Sequence, residues 1–213
     1  MTSPNRQDVL ELLSRILPNQ ELSPFAHQHH ITIEKNGKVN KGWVGLTVER
    51  MAKLGFSNKA ERDGFDFELK TTKLMFQGDR WVPKETIKVT QLNPDLILEE
   101  TFETSTLWNK LQRQIIVGCH YESPVLCRAI SLSAIDISDP ELKSSIRAFW
   151  EEVRHTVGAG EIAEYHNLGT FEEFLQLRPT GSEKLFSTCP ITGEKFPSRA
   201  FYATKKLLHR ILK

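Results

Sequence analysis

Asp66, Glu68 and Lys70 alternate with Phe65, Phe67 and Leu69 in the stretch DGFDFELK, Asp63 to Lys70. Successive side chains on a β-strand point to opposite faces, so this pattern predicts a strand with one apolar and one charged face. The apolar face enters a core. The other presents two carboxylates and an amine from a rigid surface, with every second residue about 7 Å further along. Hard divalent cations such as Mg²⁺ take oxygen ligands from one or two carboxylates, from water and from substrate phosphate. A lysine beside such an ion can orient or deprotonate an attacking water. The chemistry these residues predict is that of a metal-dependent nuclease.

The same D-x4-E-x-K spacing occurs again in DISDPELK, with Asp136, Glu141 and Lys143, and with Asp139 in the relative place of Asp66. Spacing alone is therefore not the signal. Asp139 followed by Pro140 is a helix start, an N-cap with proline at the first helical position. Leu142, Ile146, Phe149, Trp150, Val153 and Val157 then recur at helical period up to Gly158. Residues two apart on a helix diverge by about 200°, so Glu141 and Lys143 cannot converge on one ion. The second copy reads as a capped helix start and the first as the catalytic candidate.

The elements that must position the first copy lie around it. Lys41 to Gly55 reads as a helix with Trp43, Val44, Val48, Met51 and Leu54 apolar and glycine as its C-cap. Glu49 sits near its middle, and a short linker, Phe56 to Arg62, leads directly into the strand, so Glu49 can reach the same ion or its water shell. Asn5 to Leu17 is a further helix, ended by Pro18. Other candidate strands are Glu85 to Gln91, Gln114 to Cys119, Arg128 to Ala134 and Phe174 to Arg178, beside Phe65 to Thr71 itself. His27, His29 and His30 lack a carboxylate or cysteine at ligand spacing and read as loop histidines. Cys119, Cys127 and Cys189 are odd in number and widely spaced, which indicates free, mostly buried thiols.

With 213 residues, 26% of them charged and 39% hydrophobic, the chain has ordinary globular composition. It contains no apolar run near 18 residues and no signal-peptide layout, so it is expected to be soluble, cytoplasmic and without a membrane partner. The net charge is only +1. From Arg199 onward, however, Arg199, Lys205, Lys206, Arg210 and Lys213 face no local acid, a run suited to a phosphate backbone.

Five segments in order resemble one family. KGWVGLTVE and ELKT, then ETSTLWNKL, FLQLRP and RAFYATKK, are similar to segments of the MutH family of DNA endonucleases. That family includes the mismatch-repair strand nickase and GATC-cutting restriction enzymes. The resemblance implies an α/β fold of the restriction-endonuclease kind: a mixed β-sheet flanked by helices, with two lobes around a DNA-binding cleft. It implies one endonuclease domain over residues 1–213, with a catalytic lobe roughly over 1–120 and a DNA-reading lobe over 121–213.

Carried over residue by residue, Glu68 and Lys70 match the family's E-x-K, Glu49 the helix carboxylate, Lys41 the lysine opening that segment and Lys110 a further active-site lysine. Arg178 and Pro179 match the base-reading strand pair, and Tyr202 a tyrosine close to the methylated adenine. Lys205 and Lys206 extend the DNA-facing set. One departure concerns the first aspartate: the nickase has it seven residues before the glutamate, where this chain has Glu61. Related restriction enzymes use five-residue spacing, which selects Asp63, with Asp66 as the alternative ligand.

The implied mechanism has Asp63, Glu68 and the Leu69 carbonyl hold Mg²⁺, for which Mn²⁺ can substitute, and Glu49 bind a second ion or its waters. Lys70 acts on the attacking water, and cleavage of duplex DNA leaves 5′-phosphates. The leading expectation is a type II restriction endonuclease, functionally paired with a cognate DNA methyltransferase, because the first forty residues show no clear match. The alternative is a methyl-directed nickase of mismatch repair with a MutL-type activator. A catalytically degenerate DNA-binding module is the third.

Overall fold

A computed structural model describes residues 5–53, 67–135, 138–170, 172–180 and 185–212. In chain order the elements are α1 (Arg6–Ile16), α2 (Ser23–Gln28), β1 (Glu34–Lys35), β2 (Lys38–Val39), α3 (Trp43–Met51), β3 (Glu68–Gln77), β4 (Arg80–Pro83) and β5 (Ile87–Gln91). They continue with α4 (Leu96–Glu99), a 3₁₀ turn (Phe102–Thr104), α5 (Thr106–Arg113), β6 (Gln114–Ser123), β7 (Leu126–Ala134) and α6 (Pro140–Gly158). The last are β8 (Leu175–Pro179), β9 (Phe186–Thr188), β10 (Lys195–Pro197), β11 (Arg199–Ala203) and α7 (Lys205–Ile211). The fold is mixed α/β, as expected.

These elements form two compact units, each discontinuous in sequence. The first holds Met1–Glu85, Arg113–Ile135 and Ile211–Lys213; the second holds Thr86–Gln112 and Asp136–Arg210.

The first unit is built on a mixed four-stranded sheet in the order β4-β3-β6-β7. β3 and β6 run parallel, with Glu68 opposite Gln114 and Lys70 opposite Ile116, while β4 and β7 flank them antiparallel. One face of this sheet carries Phe67, Ile115, Val117 and Cys119 into a core shared with Val9 and Leu13 of α1 and Trp43, Val44, Val48 and Met51 of α3. Both helices are amphipathic, so burying those stripes is what fixes them on the sheet. Asn5 caps α1 by accepting from the Asp8 N–H at 2.9 Å. Cys119 and Cys127 are buried here as free thiols; a hydrogen bond between them, together with burial, holds Cys119 well above the ordinary thiol range.

The second unit carries an antiparallel three-stranded sheet, β5-β11-β8, and the hairpin β9–β10. α6 has the expected start: the Asp139 side chain accepts from the Leu142 N–H at 3.0 Å. Its stripe of Leu142, Ile146, Phe149, Trp150, Val153 and Val157 is buried, and Phe149 meets Phe201 of β11 edge-to-face at 6.4 Å. The expected single sheet is thus resolved into separate sheets, and α6 packs on β8 in the smaller one.

Several boundaries differ from the sequence expectation. The candidate strand opens at Glu68 and runs on to Gln77, while Asp63 to Asp66 lie outside the described residues. α3 ends at Met51, because Lys53 takes the left-handed conformation, φ 59°, that Gly55 was expected to supply. Its N–H closes the helix on the Arg50 carbonyl at 2.9 Å. β4 was not anticipated. Gly78, at φ 66°, turns the chain back so that Phe76 pairs with Trp81. The turn-rich run Ser187 to Pro197 contributes most of the hairpin β9–β10. Among the described residues no helix is long and apolar enough to cross a membrane.

Candidate active site

Glu68 and Lys70 sit two apart on β3, on the face opposite the buried Phe67 and the partly buried Leu69. The pleat therefore aligns them, and Lys70 Nζ lies 2.6 Å from Glu68 Oε1. Their side chains are 32% and 35% exposed, which leaves both able to meet solvent or a substrate. The carboxylate is held from a strand whose other face packs into the apolar core.

α3 packs against β3 within the same unit and carries Glu49 half-buried. That helix is seated by Trp43, whose indole N–H donates to the Pro124 carbonyl at 3.2 Å, while Thr47 donates to the Trp43 carbonyl within the helix. Lys41 is exposed just before it.

The donor types suit a hard divalent cation: a partly exposed carboxylate on a strand and a main-chain carbonyl next to it, with Glu49 on α3, the helix that packs on the Phe67 face of the sheet. Among the described residues no three His, Cys, Asp or Glu side chains form a cluster. The expected third donor, Asp63 or its alternative Asp66, lies outside the described residues.

In the second unit, the ETS segment has a structural task. Ser105 Oγ accepts from the Trp108 N–H at 3.1 Å, and Glu100 accepts from both the N–H and the hydroxyl of Thr106, so α5 starts from a double cap. That start sets Lys110, half-buried, one turn on.

Arg178 and Tyr202 come together on neighbouring strands. Arg178 opposes Ala200, which makes Tyr202 its diagonal neighbour on the same face, and the guanidinium lies over the Tyr202 ring at 4.0 Å. Arg178 also donates to Thr86 Oγ1. Thr86 was not anticipated, since nothing local in the sequence links it to a residue 92 positions later. Pro179 ends β8 opposite Arg199.

The basic C-terminal run is less free than its local sequence suggests. Arg210 pairs with Asp139 at 2.6 Å and with Glu141 at 2.9 Å, and these bonds raise its pKa. Arg199 is 2% exposed, and burial lowers its pKa. Lys206 donates to the Glu172 carbonyl and lies over Phe174, whereas Lys205 is exposed.

The model of the family described as "DNA mismatch repair enzyme MutH" matches residues 52–146, the span that holds β3, α5 and β6. A DNA mismatch repair protein MutH from Shewanella sp. (strain W3-18-1) is 30% identical over 179 residues, covering 81% of this chain and 78% of the relative. The chain belongs to the MutH family. Other MutH proteins extend the likeness: that of Actinobacillus pleuropneumoniae serotype 3 (strain JL03) is 29% identical over 90% of this chain and 86% of its own length. That of serotype 5b (strain L20) is 28% identical over 99% and 95%. Membership of the MutH family makes the chain an enzyme of the DNA endonuclease class that the five segments implied.

Proposed function

We propose that this chain is a divalent-metal-dependent endonuclease that nicks one strand of duplex DNA in mismatch repair, with Glu68 and Lys70 at its catalytic centre. The observation that carries the reading is the 2.6 Å Glu68–Lys70 pair on one face of β3, in a chain similar to MutH proteins over most of their length. The restriction reading drew on the poorly matched first forty residues. A mismatch-repair relative aligned over 99% of the chain supports the repair reading instead.

Glu68, the Leu69 carbonyl and Asp63 or Asp66 would hold Mg²⁺, with Mn²⁺ able to substitute, and Glu49 would bind a second ion or its waters. The ion, when bound, polarises the phosphate and makes bound water easier to deprotonate. Lys70 would reach from the same face as Glu68 to orient or deprotonate a water in line with the scissile bond. That water gives its proton to Lys70 or to solvent, its oxygen bonds to phosphorus, and the P–O3′ bond breaks. The departing 3′ oxygen takes up a proton, and the 5′-phosphate remains on the other fragment. Lys110 and Lys41 neutralise phosphate charge.

Arg178 suits guanine, whose O6 and N7 accept two parallel hydrogen bonds from a guanidinium. Tyr202 and Thr86 hold that guanidinium in one plane. Tyr202 would then stand where adenine methylation is sensed, with Pro179 following Arg178 on β8 and with Lys205 and Lys206 toward the DNA backbone.

Incubating the protein with supercoiled plasmid in unmethylated, hemimethylated and fully adenine-methylated forms tests this, with and without Mg²⁺ and a MutL-type activator. The expected product is Mg²⁺-dependent nicked circles, stimulated by the activator and blocked by full methylation. Efficient linearisation at discrete sites without any partner would instead establish a restriction enzyme. Tight DNA binding with no cleavage under any condition would establish a degenerate module.

A further inference from the structure

Gln114 opens β6 directly opposite Glu68 in the parallel pair, as Ile116 opposes Lys70. Ile115, Val117 and Cys119 point into the helical core, so Gln114 and Ile116 belong to the face that bears Glu68 and Lys70. Gln114 is 0% exposed, and neither its Nε2 nor its Oε1 has a hydrogen-bond partner among the described residues. A buried carboxamide left unpaired is unfavourable, and a leucine of similar size would serve the packing better. The strand around it is otherwise apolar, Ile115 to Val117, so burial alone gives no reason for an amide at this position.

We infer that Gln114 is a positioning residue for Glu68. Glu68 is now paired with Lys70 through Oε1. When Lys70 turns to the attacking water, the carboxylate loses that partner and needs another to stay aimed. The Gln114 Nε2–H groups donate to it from the adjacent strand, and Oε1 accepts from a water that Glu68 orients. The amide is neutral, so it steers the carboxylate without competing with a cation for its charge. This rests on Glu68 being a catalytic ligand, as proposed above.

The test is Gln114→Leu in the full chain, with Gln114→Met as a second variant should the first fail to fold. Single-turnover cleavage, the Mg²⁺ concentration for half-maximal rate and the Tm with and without Mg²⁺ are measured beside Glu68→Ala. Expected are an unchanged or higher metal-free Tm, a smaller Mg²⁺-induced rise in Tm, a higher Mg²⁺ requirement and a cleavage rate down about ten-fold or more. A purely structural amide would move only the metal-free Tm. Wild-type cleavage and Mg²⁺ response in a folded variant, with Glu68→Ala inactive, overturns the role of Gln114 alone. Cleavage retained by Glu68→Ala overturns the underlying catalytic assignment instead.

Discussion

Two stretches of this chain share the spacing D-x4-E-x-K, and the structure uses them in opposite ways. On β3, Glu68 and Lys70 share a face and pair at 2.6 Å. On α6, Glu141 turns to Arg210 at 2.9 Å, while Lys143 lies over the Trp108 ring at 5.7 Å. A two-residue step keeps side chains together on a strand and sends them apart by about 200° on a helix. The ELK tripeptide thus makes a close carboxylate–amine pair only where the backbone is extended, and the residue that separates the two cases is Pro140, which opens the helix behind the Asp139 cap.

The largest expected difference is catalytic. Lys70→Ala should lower the cleavage rate by about 10²–10⁴-fold, the range for removing a group that handles a proton, with duplex binding retained in a gel-shift assay. Lys143→Ala should leave the rate within about two-fold, since its side chain covers a tryptophan far from any pairing with Glu141.

A smaller contrast separates Arg178 and Arg210, both in the second unit. Arg178→Ala should weaken binding to the recognised sequence by about 1–3 kcal/mol relative to a sequence with its guanine replaced. Arg210→Ala should leave that discrimination unchanged and lower Tm, because its guanidinium is already occupied by Asp139 and Glu141. Competition binding with paired duplexes, followed by thermal melts, distinguishes the two.

The smallest effect is that of the cap. The Leu142 N–H, then Arg210, lower the pKa of Asp139, so its carboxylate stabilises the fold above the ordinary aspartate value. That contribution is lost as pH falls through the lowered folded value. Asp139→Asn should therefore reduce Tm at neutral pH, with the gap from wild type closing in acid. A gap independent of pH would show that the charge contributes nothing.

How much of this was legible in the sequence follows from the range over which each feature is decided. α1, α6 and the E-x-K face were readable because a cap, a periodic stripe or an alternation fixes them within a few residues. The early end of α3 depends on Lys53 adopting φ 59°, a conformation that its residue type disfavours and that the local sequence therefore does not announce. The hairpin β9–β10 hid in a run whose turn residues outweigh its short strands. Arg210 seemed free because its acids lie about seventy positions earlier, and Thr86 and Gln114 acquire meaning only through partners on other strands. The family resemblance reached Arg178 and Tyr202 where local pattern could not, and the sheet register then placed them on one face.

The most direct test of the central claim is one plasmid-nicking experiment with Glu68→Ala and Glu141→Ala side by side, in Mg²⁺, on hemimethylated DNA with activator. The account predicts intact plasmid with the first and wild-type nicking with the second. Nicking by Glu68→Ala, or its loss in a folded Glu141→Ala, would contradict the assignment of the catalytic pair to β3.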